Sequence, residues 1–274
     1  MVVFPNAKIN LGLNITSRRE DGYHILTSIM LPIGWHDILE IVPSNYGATT
    51  LTTSGNKVDC PPESNLVMKA YRALANHAKL PSVNIYLRKI IPDGAGLGGG
   101  SADAAFTLKA LNNMFKLNYS DDELAEIAST LGADCPFFIY NRPMIAEGIG
   151  TDLTPTDISV LSGKTLLIVK PDIHISTAEA YAGVTPRTPN KSLTELLKAP
   201  ICEWRENIVN DFEYSLKEKF PQIENIKQSL YKGGALYSSL SGSGSAVYGI
   251  FDNDKMAETT KQSIGSYTSF ICKL

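Results

Sequence analysis

Residues 91–105 read Ile-Pro-Asp-Gly-Ala-Gly-Leu-Gly-Gly-Gly-Ser-Ala-Asp-Ala-Ala, a glycine-dense turn that runs without a break into an alanine-rich helix. Glycines at 94, 96, 98, 99 and 100 clear side chains from a place where backbone N–H groups can converge on a bulky anion. They also admit backbone angles closed to other residues. A helix starting near Ser101 aims its positive end and its unpaired N–H groups at the same spot. This chemistry suits a nucleotide polyphosphate. A flexible linker would pair Gly with Ser over a long polar run. Here the loop comes after the alternating, strand-like residues 83–87 and precedes apolar positions at Ala105, Leu108, Leu111 and Phe115.

Other phosphate loops fit less well. Residues 94–101 nearly satisfy a Walker A pattern, but Gly100 stands where the phosphate-binding Lys belongs. Gly94, Gly96 and Gly99 satisfy the G-x-G-x-x-G dinucleotide pattern, which needs a second parallel strand ending in an acid after the helix. The chain instead continues into Ser120-Asp121-Asp122-Glu123, a capping-box start to a second helix through Leu131. Neither H-R-D nor D-F-G occurs, which excludes a protein kinase.

Two further segments carry chemistry. In residues 132–139, Gly132 suits a helix end, Pro136 opposes a new helix, and Phe137 to Tyr140 reads as a buried strand, so Asp134 falls on a short connector. A catalytic carboxylate and a plain Asx-turn acid both fit that address. Residues 240–251 form a Gly/Ser turn entering an apolar strand, either a second anion-friendly loop or an ordinary hairpin turn.

The elements that must position these groups read as a mixed α/β chain. A strand is expected over residues 7–15, strands around 25–31 and 38–42, and an amphipathic helix from about Ser64 to Ala78. A second unit opens with the apolar run 165–169, and residues 203–220 read as helical. The length of 274 residues with 43% hydrophobic content slightly favours two domains. A formal net charge of −3 opposes general affinity for nucleic acid or anionic membranes. The start lacks a basic stretch followed by a long apolar one, and no run approaches the ~18 apolar residues of a membrane helix. Cys60, Cys135, Cys202 and Cys272 are scattered, as reduced thiols of a cytoplasmic protein would be. His24, His36, His77 and His174 form no paired metal motif, so any metal should arrive with the nucleotide.

Taken together, these segments resemble the galactokinase, homoserine kinase, mevalonate kinase and phosphomevalonate kinase (GHMP) superfamily of small-molecule kinases. The resemblance covers the whole chain. It rests on Ala7-Lys8-Ile9-Asn10-Leu11, on the loop from Pro92 to Ala102, and on Ser241-Gly242-Ser243-Gly244. Residues 18–24 (Arg-Arg-Glu-Asp-Gly-Tyr-His), the triple glycine of the loop, Gly132-Ala133-Asp134 and residues 171–177 are similar to the branch whose acceptor carries cytidine diphosphate. The resemblance implies an α+β, two-domain fold: an N-terminal half like ribosomal protein S5 over residues 1–160, a ferredoxin-like C-terminal half over 161–274, and an active site in a cleft between them.

It further implies transfer of the ATP γ-phosphoryl group to the 2-hydroxyl of a cytidine-diphosphate-linked methylerythritol, in non-mevalonate isoprenoid precursor synthesis. The alternative is a sibling kinase with a mevalonate, homoserine or sugar acceptor. Asp134 would be the general base, with Lys8 easing negative charge on the attacking oxygen. The ATP site would comprise Lys89, Pro92, Asp93, Gly94, Ala95, Gly96, Leu97, Gly98, Gly99, Gly100, Ser101 and Ala102, with Mg²⁺ on the phosphates and Ser101 a candidate ligand. Asn10, Tyr23, His24, Thr177 and Tyr181 would bind the acceptor, Tyr23 stacking on cytosine and His24 bonding its edge. No nucleic acid or membrane partner is implied, and the expected state is a monomer or weak homodimer. Ala102, Cys135 and Glu147 depart from the family's commoner residues.

Overall fold

The computed structural model describes residues 1–45 and 47–274. In chain order its strands are β1 (Val2–Val3), β2 (Asn6–Arg18), β3 (His24–His36), β4 (Ile38–Pro43), β5 (Thr50–Gly55), β6 (Val83–Lys89), β7 (Met144–Glu147), β8 (Asp152–Pro155), β9 (Thr165–Lys170), β10 (Tyr237–Leu240), β11 (Val247–Phe251) and β12 (Thr268–Lys273). The α-helices are α1 (Leu66–Ala75), α2 (Gly99–Phe115), α3 (Asp121–Ser129), α4 (Cys135–Tyr140), α5 (Thr177–Ala182), α6 (Leu193–Leu196), α7 (Trp204–Asn207), α8 (Phe212–Leu216), α9 (Pro221–Lys232) and α10 (Asp254–Ile264). They gather into two compact units that interleave along the chain. The first holds Met1–Ala7, Trp35–Asp93 and Gly98–Arg142, and the second Lys8–Gly34, Gly94–Leu97 and Pro143–Leu274.

In the first unit a sheet runs in the order β1-β4-β6-β5. The alternation read from residues 83–87 buries Val83, Ile85 and Leu87 while Tyr86 and Arg88 face solvent. β4 pairs antiparallel to β6, with Ile41 opposite Ile85, and β5 pairs parallel to it. A parallel pair needs a crossover, and α1 lies between β5 and β6 in the chain. α1 starts at Asn65, whose side chain accepts from the Val67 N–H, and it buries Val67, Met68, Ala70 and Leu74. α2 packs on α1 and α4 with Ala104, Ala105, Leu108 and Leu111 fully buried. α3 begins with the reciprocal Ser120–Glu123 capping box read from the sequence.

Residues 137–140 are helical, not the expected strand. Pro136 falls in the first turn of α4, where its missing N–H has no intrahelical partner to lose. Six residues cannot hold a helix alone. Phe137 and Phe138 are fully buried, and burial contributes about 1.5–3 kcal/mol for each. The helix before it ends at Ser129 with Thr130 as its cap, so Gly132 is not its terminating residue. Residues 203–220 break into the short α7 and α8 rather than one helix.

The second unit contains two sheets, β2-β3-β7-β8 and β10-β11-β9-β12. In the latter, Val247 faces Val169 and Ile271 faces Leu167 in antiparallel register. Leu13, Ile15 and Leu26 share one core cluster with Val169, Phe212, Leu230, Leu240 and Phe251. That core anchors the roots of β2 and of the 241–244 turn. Among the described residues no helix is long and apolar enough to cross a membrane.

Candidate active site

The glycine loop turns because Gly94, Gly96 and Gly98 adopt φ of +61°, +73° and +70°. Its carbonyls are gripped within the second unit. The Lys8 N–H donates to Leu97 O at 2.9 Å, the Ala246 N–H to Ala95 O at 3.0 Å, and the Ser241 hydroxyl to Gly96 O at 2.9 Å. A Cβ at position 96 would stand 2.0 Å from the Ser241 carbonyl oxygen, so only glycine permits this approach. The two glycine-rich segments of the sequence thus meet although Ser241 and Gly96 are 145 residues apart. With the loop's carbonyls engaged, N–H groups are left for a ligand.

Lys8 joins the same cluster. It is 3% exposed, not a solvated strand residue, and its ammonium donates to Asn10 Oδ1. A Cβ on Gly242 would lie 3.3 Å from both Lys8 Nζ and Asn10 Oδ1, which puts the Ser/Gly turn beside them. His174 also belongs here, because a Cβ on Gly94 would stand 3.1 Å from its ring. Reading the histidines one by one hid this; the signal lay in residues 171–177 taken as a segment.

Within the first unit, α2 begins at Gly99, two residues earlier than expected. Its cap, Gly98, has left-handed geometry and offers no side chain to the helix start, and the first turn carries no acid. The N–H groups of Gly99, Gly100 and Ser101 therefore lack intrahelical partners at the positive end of the dipole. The Ser101 side chain bonds the Cys135 thiol, whose pKa burial pushes up to about 11 against that bond, with neighbouring Asp134 adding to the rise. Asp134 is half-buried at the cap position of α4 in αR geometry, and its carboxylate does not make the capping bond an ordinary helix-start Asp would make.

Lys89 supports the loop from inside the first unit. Its ammonium is 5% exposed and is held between Asp37 Oδ2 and Asp103 Oδ2, the latter at 2.6 Å. Asp37 Oδ1 accepts from the Ile90 and Ile91 N–H groups at 2.5 and 2.9 Å. A Cβ on Gly99 would lie 3.3 Å from Lys89 Nζ. Burial works against the Lys89 charge, and the two carboxylates outweigh it and raise its pKa. Burial pushes Asp103 up to about 8, Lys89 opposing and Asp37 assisting, and Asp103 Oδ1 is buried with no hydrogen-bond partner. Neither Asp37 nor Asp103 was visible as a site residue in the sequence.

On the acceptor side, His24 stacks on Tyr181 at 4.7 Å between ring centroids, and Tyr181 meets Phe212 edge-on at 4.8 Å. Burial, then Arg18, lowers the His24 pKa. Tyr23 turns away, 63% exposed, with its N–H on Asp21 Oδ1. Thr177 is exposed at the first position of α5, after a Ser176–Glu179 capping box. The structure thus joins His24 to Tyr181, but does not join Tyr23 or Thr177 to that stack.

The family model for the N-terminal domain of GHMP kinases matches residues 65–142, and that for the GHMP kinases C terminal matches residues 194–267. The chain belongs to the GHMP kinases. The glycine loop and Asp134 fall inside the first match and the 241–244 turn inside the second, whereas Lys8, Tyr23, His24, Thr177 and Tyr181 lie outside both. Among its GHMP-kinase relatives is the 4-diphosphocytidyl-2-C-methyl-D-erythritol kinase of Parabacteroides distasonis, 54% identical over 92% of each chain. The protein of the same name from Cytophaga hutchinsonii is 45% identical over the full length of both. A crystal structure of 4-(cytidine 5'-diphospho)-2C-methyl-D-erythritol kinase superposes with a TM-score of 0.84 at 30% identity, covering 99% of this chain and 98% of that one. The mixed α+β GHMP-kinase fold expected from the sequence is borne out.

Proposed function

We propose that this protein phosphorylates the 2-hydroxyl of 4-diphosphocytidyl-2-C-methyl-D-erythritol with ATP, releasing the 2-phosphate and ADP in non-mevalonate isoprenoid precursor synthesis. The observation that carries the reading is the cluster in which Lys8, Asn10, Gly94–Leu97 and the 241–244 turn are hydrogen-bonded around a glycine loop of positive φ. The relatives' shared name supplies the acceptor.

Phosphoryl transfer demands positioning and charge stabilisation more than covalent chemistry from the protein. In this reading residues 92–102 hold the triphosphate through main-chain N–H groups, helped by the uncapped start of α2. Lys89 serves that grip through the loop: its ion cluster fixes the residues on either side of the glycines. Asp134 takes the proton of the acceptor hydroxyl, and Lys8 stabilises the oxygen as charge develops. Mg²⁺, carried with the nucleotide, would neutralise phosphate charge, and the Ser101 hydroxyl in the first turn of α2 suits it as a ligand. Tyr23, exposed, is available to stack on cytosine. His24, held by Tyr181, presents its ring edge to the base, with Asn10 and Thr177 completing the acceptor set. The division at about residue 160 belongs to the same reading; the two family matches fall on either side of it, while the compact units interleave and change over at Pro143. So do a cytoplasmic location, consistent with four free cysteines, and a monomer or weak homodimer.

The test is a coupled ADP-release assay with the cytidylylated methylerythritol beside mevalonate and homoserine. Turnover with the first alone is expected; turnover with either of the others alone would overturn the acceptor assignment. Asp134→Asn should keep fold and ATP binding while turnover falls by at least ~10²-fold, and near-normal turnover would remove Asp134 from its role.

A further inference from the structure

Every polar contact leading away from Lys8 through Asn10 points the same way. The ammonium can only donate, and it donates to Asn10 Oδ1. Asn10 Nδ2 then faces Ser28 Oγ at 2.8 Å as donor. Ser28 has one hydroxyl proton, and it goes to the Gly12 carbonyl at 2.6 Å. A donor-only group at one end and an acceptor-only group at the other leave one orientation for the amide between them. Reversed, its NH₂ would meet the ammonium, and its oxygen would meet a hydroxyl whose proton is already committed. Ser28 is fully buried and Asn10 2% exposed, so bulk water is not at hand to mend a broken link.

The Asn10 backbone is pinned separately. Tyr248 donates its phenolic proton to Asn10 O at 2.9 Å. The Asn10 N–H faces Ser241 Oγ at 3.4 Å, and the Ser241 proton continues to Gly96 O. One residue therefore sends two directional chains outward, one governing Lys8 and the other reaching the glycine loop.

We infer that Ser28 is a positioning residue for the transfer proposed above: it fixes the Asn10 amide, which in turn fixes the Lys8 ammonium. Ser241 is its counterpart on the nucleotide side. The two serines are alike in chemistry and burial, yet they act on different kinetic quantities.

The inference rests on the proposed reaction, and wild-type turnover of the cytidylylated acceptor checks that separately. In Ser28→Ala, kcat should fall about 10-fold, less than the ~10²–10³ lost with a charge-stabilising donor itself, while KM for ATP stays within about twofold. Ser241→Ala should instead raise KM for ATP. In an Asn10→Ala background, Ser28→Ala should cost no further turnover, because the link it serves is already gone. Wild-type kcat in Ser28→Ala, or losses that multiply in the double variant, would overturn the inference. A readout independent of turnover is hydrogen exchange of the Asn10 side-chain amide by NMR, slow in the wild type and fast in Ser28→Ala. Unchanged protection would overturn the inference even if the acceptor proved to be another molecule.

Discussion

Gly94, Gly96 and Gly98 all have positive φ, whereas Gly99 and Gly100 are the first residues of α2. The two stretches are also backed differently. Behind the first stand neutral hydrogen bonds from Lys8, Ala246 and Ser241 to the loop's carbonyls, and behind the second lies the buried Lys89 ion cluster, 3.3 Å from a Cβ at position 99. One residue type thus meets two demands. In the first stretch the backbone conformation, and at Gly96 the closeness of other main chain, exclude a side chain. In the second the backbone is helical; side chains of Ile91 and Lys89 crowd Gly99, Gly100 has room, and the strength comes from charges underneath.

The sharpest way to break this contrast is to remove the cation. Lys89→Met strips the cation from the buried Asp37 and a hydrogen-bond donor from the buried Asp103 carboxyl, and should lower unfolding free energy by about 3–5 kcal/mol in urea titrations. A loss under ~1 kcal/mol would mean the charges support nothing. Gly96→Ala comes next. The left-handed backbone and the collision with Ser241 should together cost about 2–4 kcal/mol, with KM for ATP raised, as melting and nucleotide titration would report.

A third measurement isolates Asp103. Its carboxyl titrates near 8 when folded and near the usual 3.8 when unfolded, so between those values the folded state holds the extra proton. Stability from this group therefore falls as pH rises through that window, by at most about 1.4 kcal/mol per pH unit, and is flat beyond either end. Asp103→Asn should remove that slope and gain on the wild type between pH 5 and pH 8; parallel curves would show that Asp103 is ionised throughout. The smallest effect belongs to Gly100→Ala, whose Cβ would meet only Leu66 Cδ1 at an ordinary 3.5 Å. Helix propensity should raise stability by about 0.5–1 kcal/mol. A loss as large as that of Gly96→Ala would erase the distinction between the two stretches.

How much the sequence disclosed depends on how local each signal is. The glycine loop, the Ser120 capping box and the alternation of β6 are written in neighbouring residues, and all were legible. Asp134 was placed correctly on its connector although the segment after it was misread. A rule against proline in helix interiors was applied where proline occupies a first turn. The polar partners were not legible because their spacing is set by topology: Asp37 lies 52 residues before Lys89, and Ser28 lies 18 after Asn10 across a strand turn. Tyr23-His24 looked like one functional pair. In the structure His24 stacks on Tyr181 while Tyr23, just before β3 begins, stands exposed.

The bond from Ala246 to Ala95 and that from Ser241 to Gly96 carry a consequence for synthesis on the ribosome. The glycine motif emerges some 145 residues before Ser241, one of the residues that hold it in shape. A nascent or prematurely terminated chain would carry the whole phosphate motif and still be unable to grip a nucleotide. The shape of the motif would then be completed late and in one step.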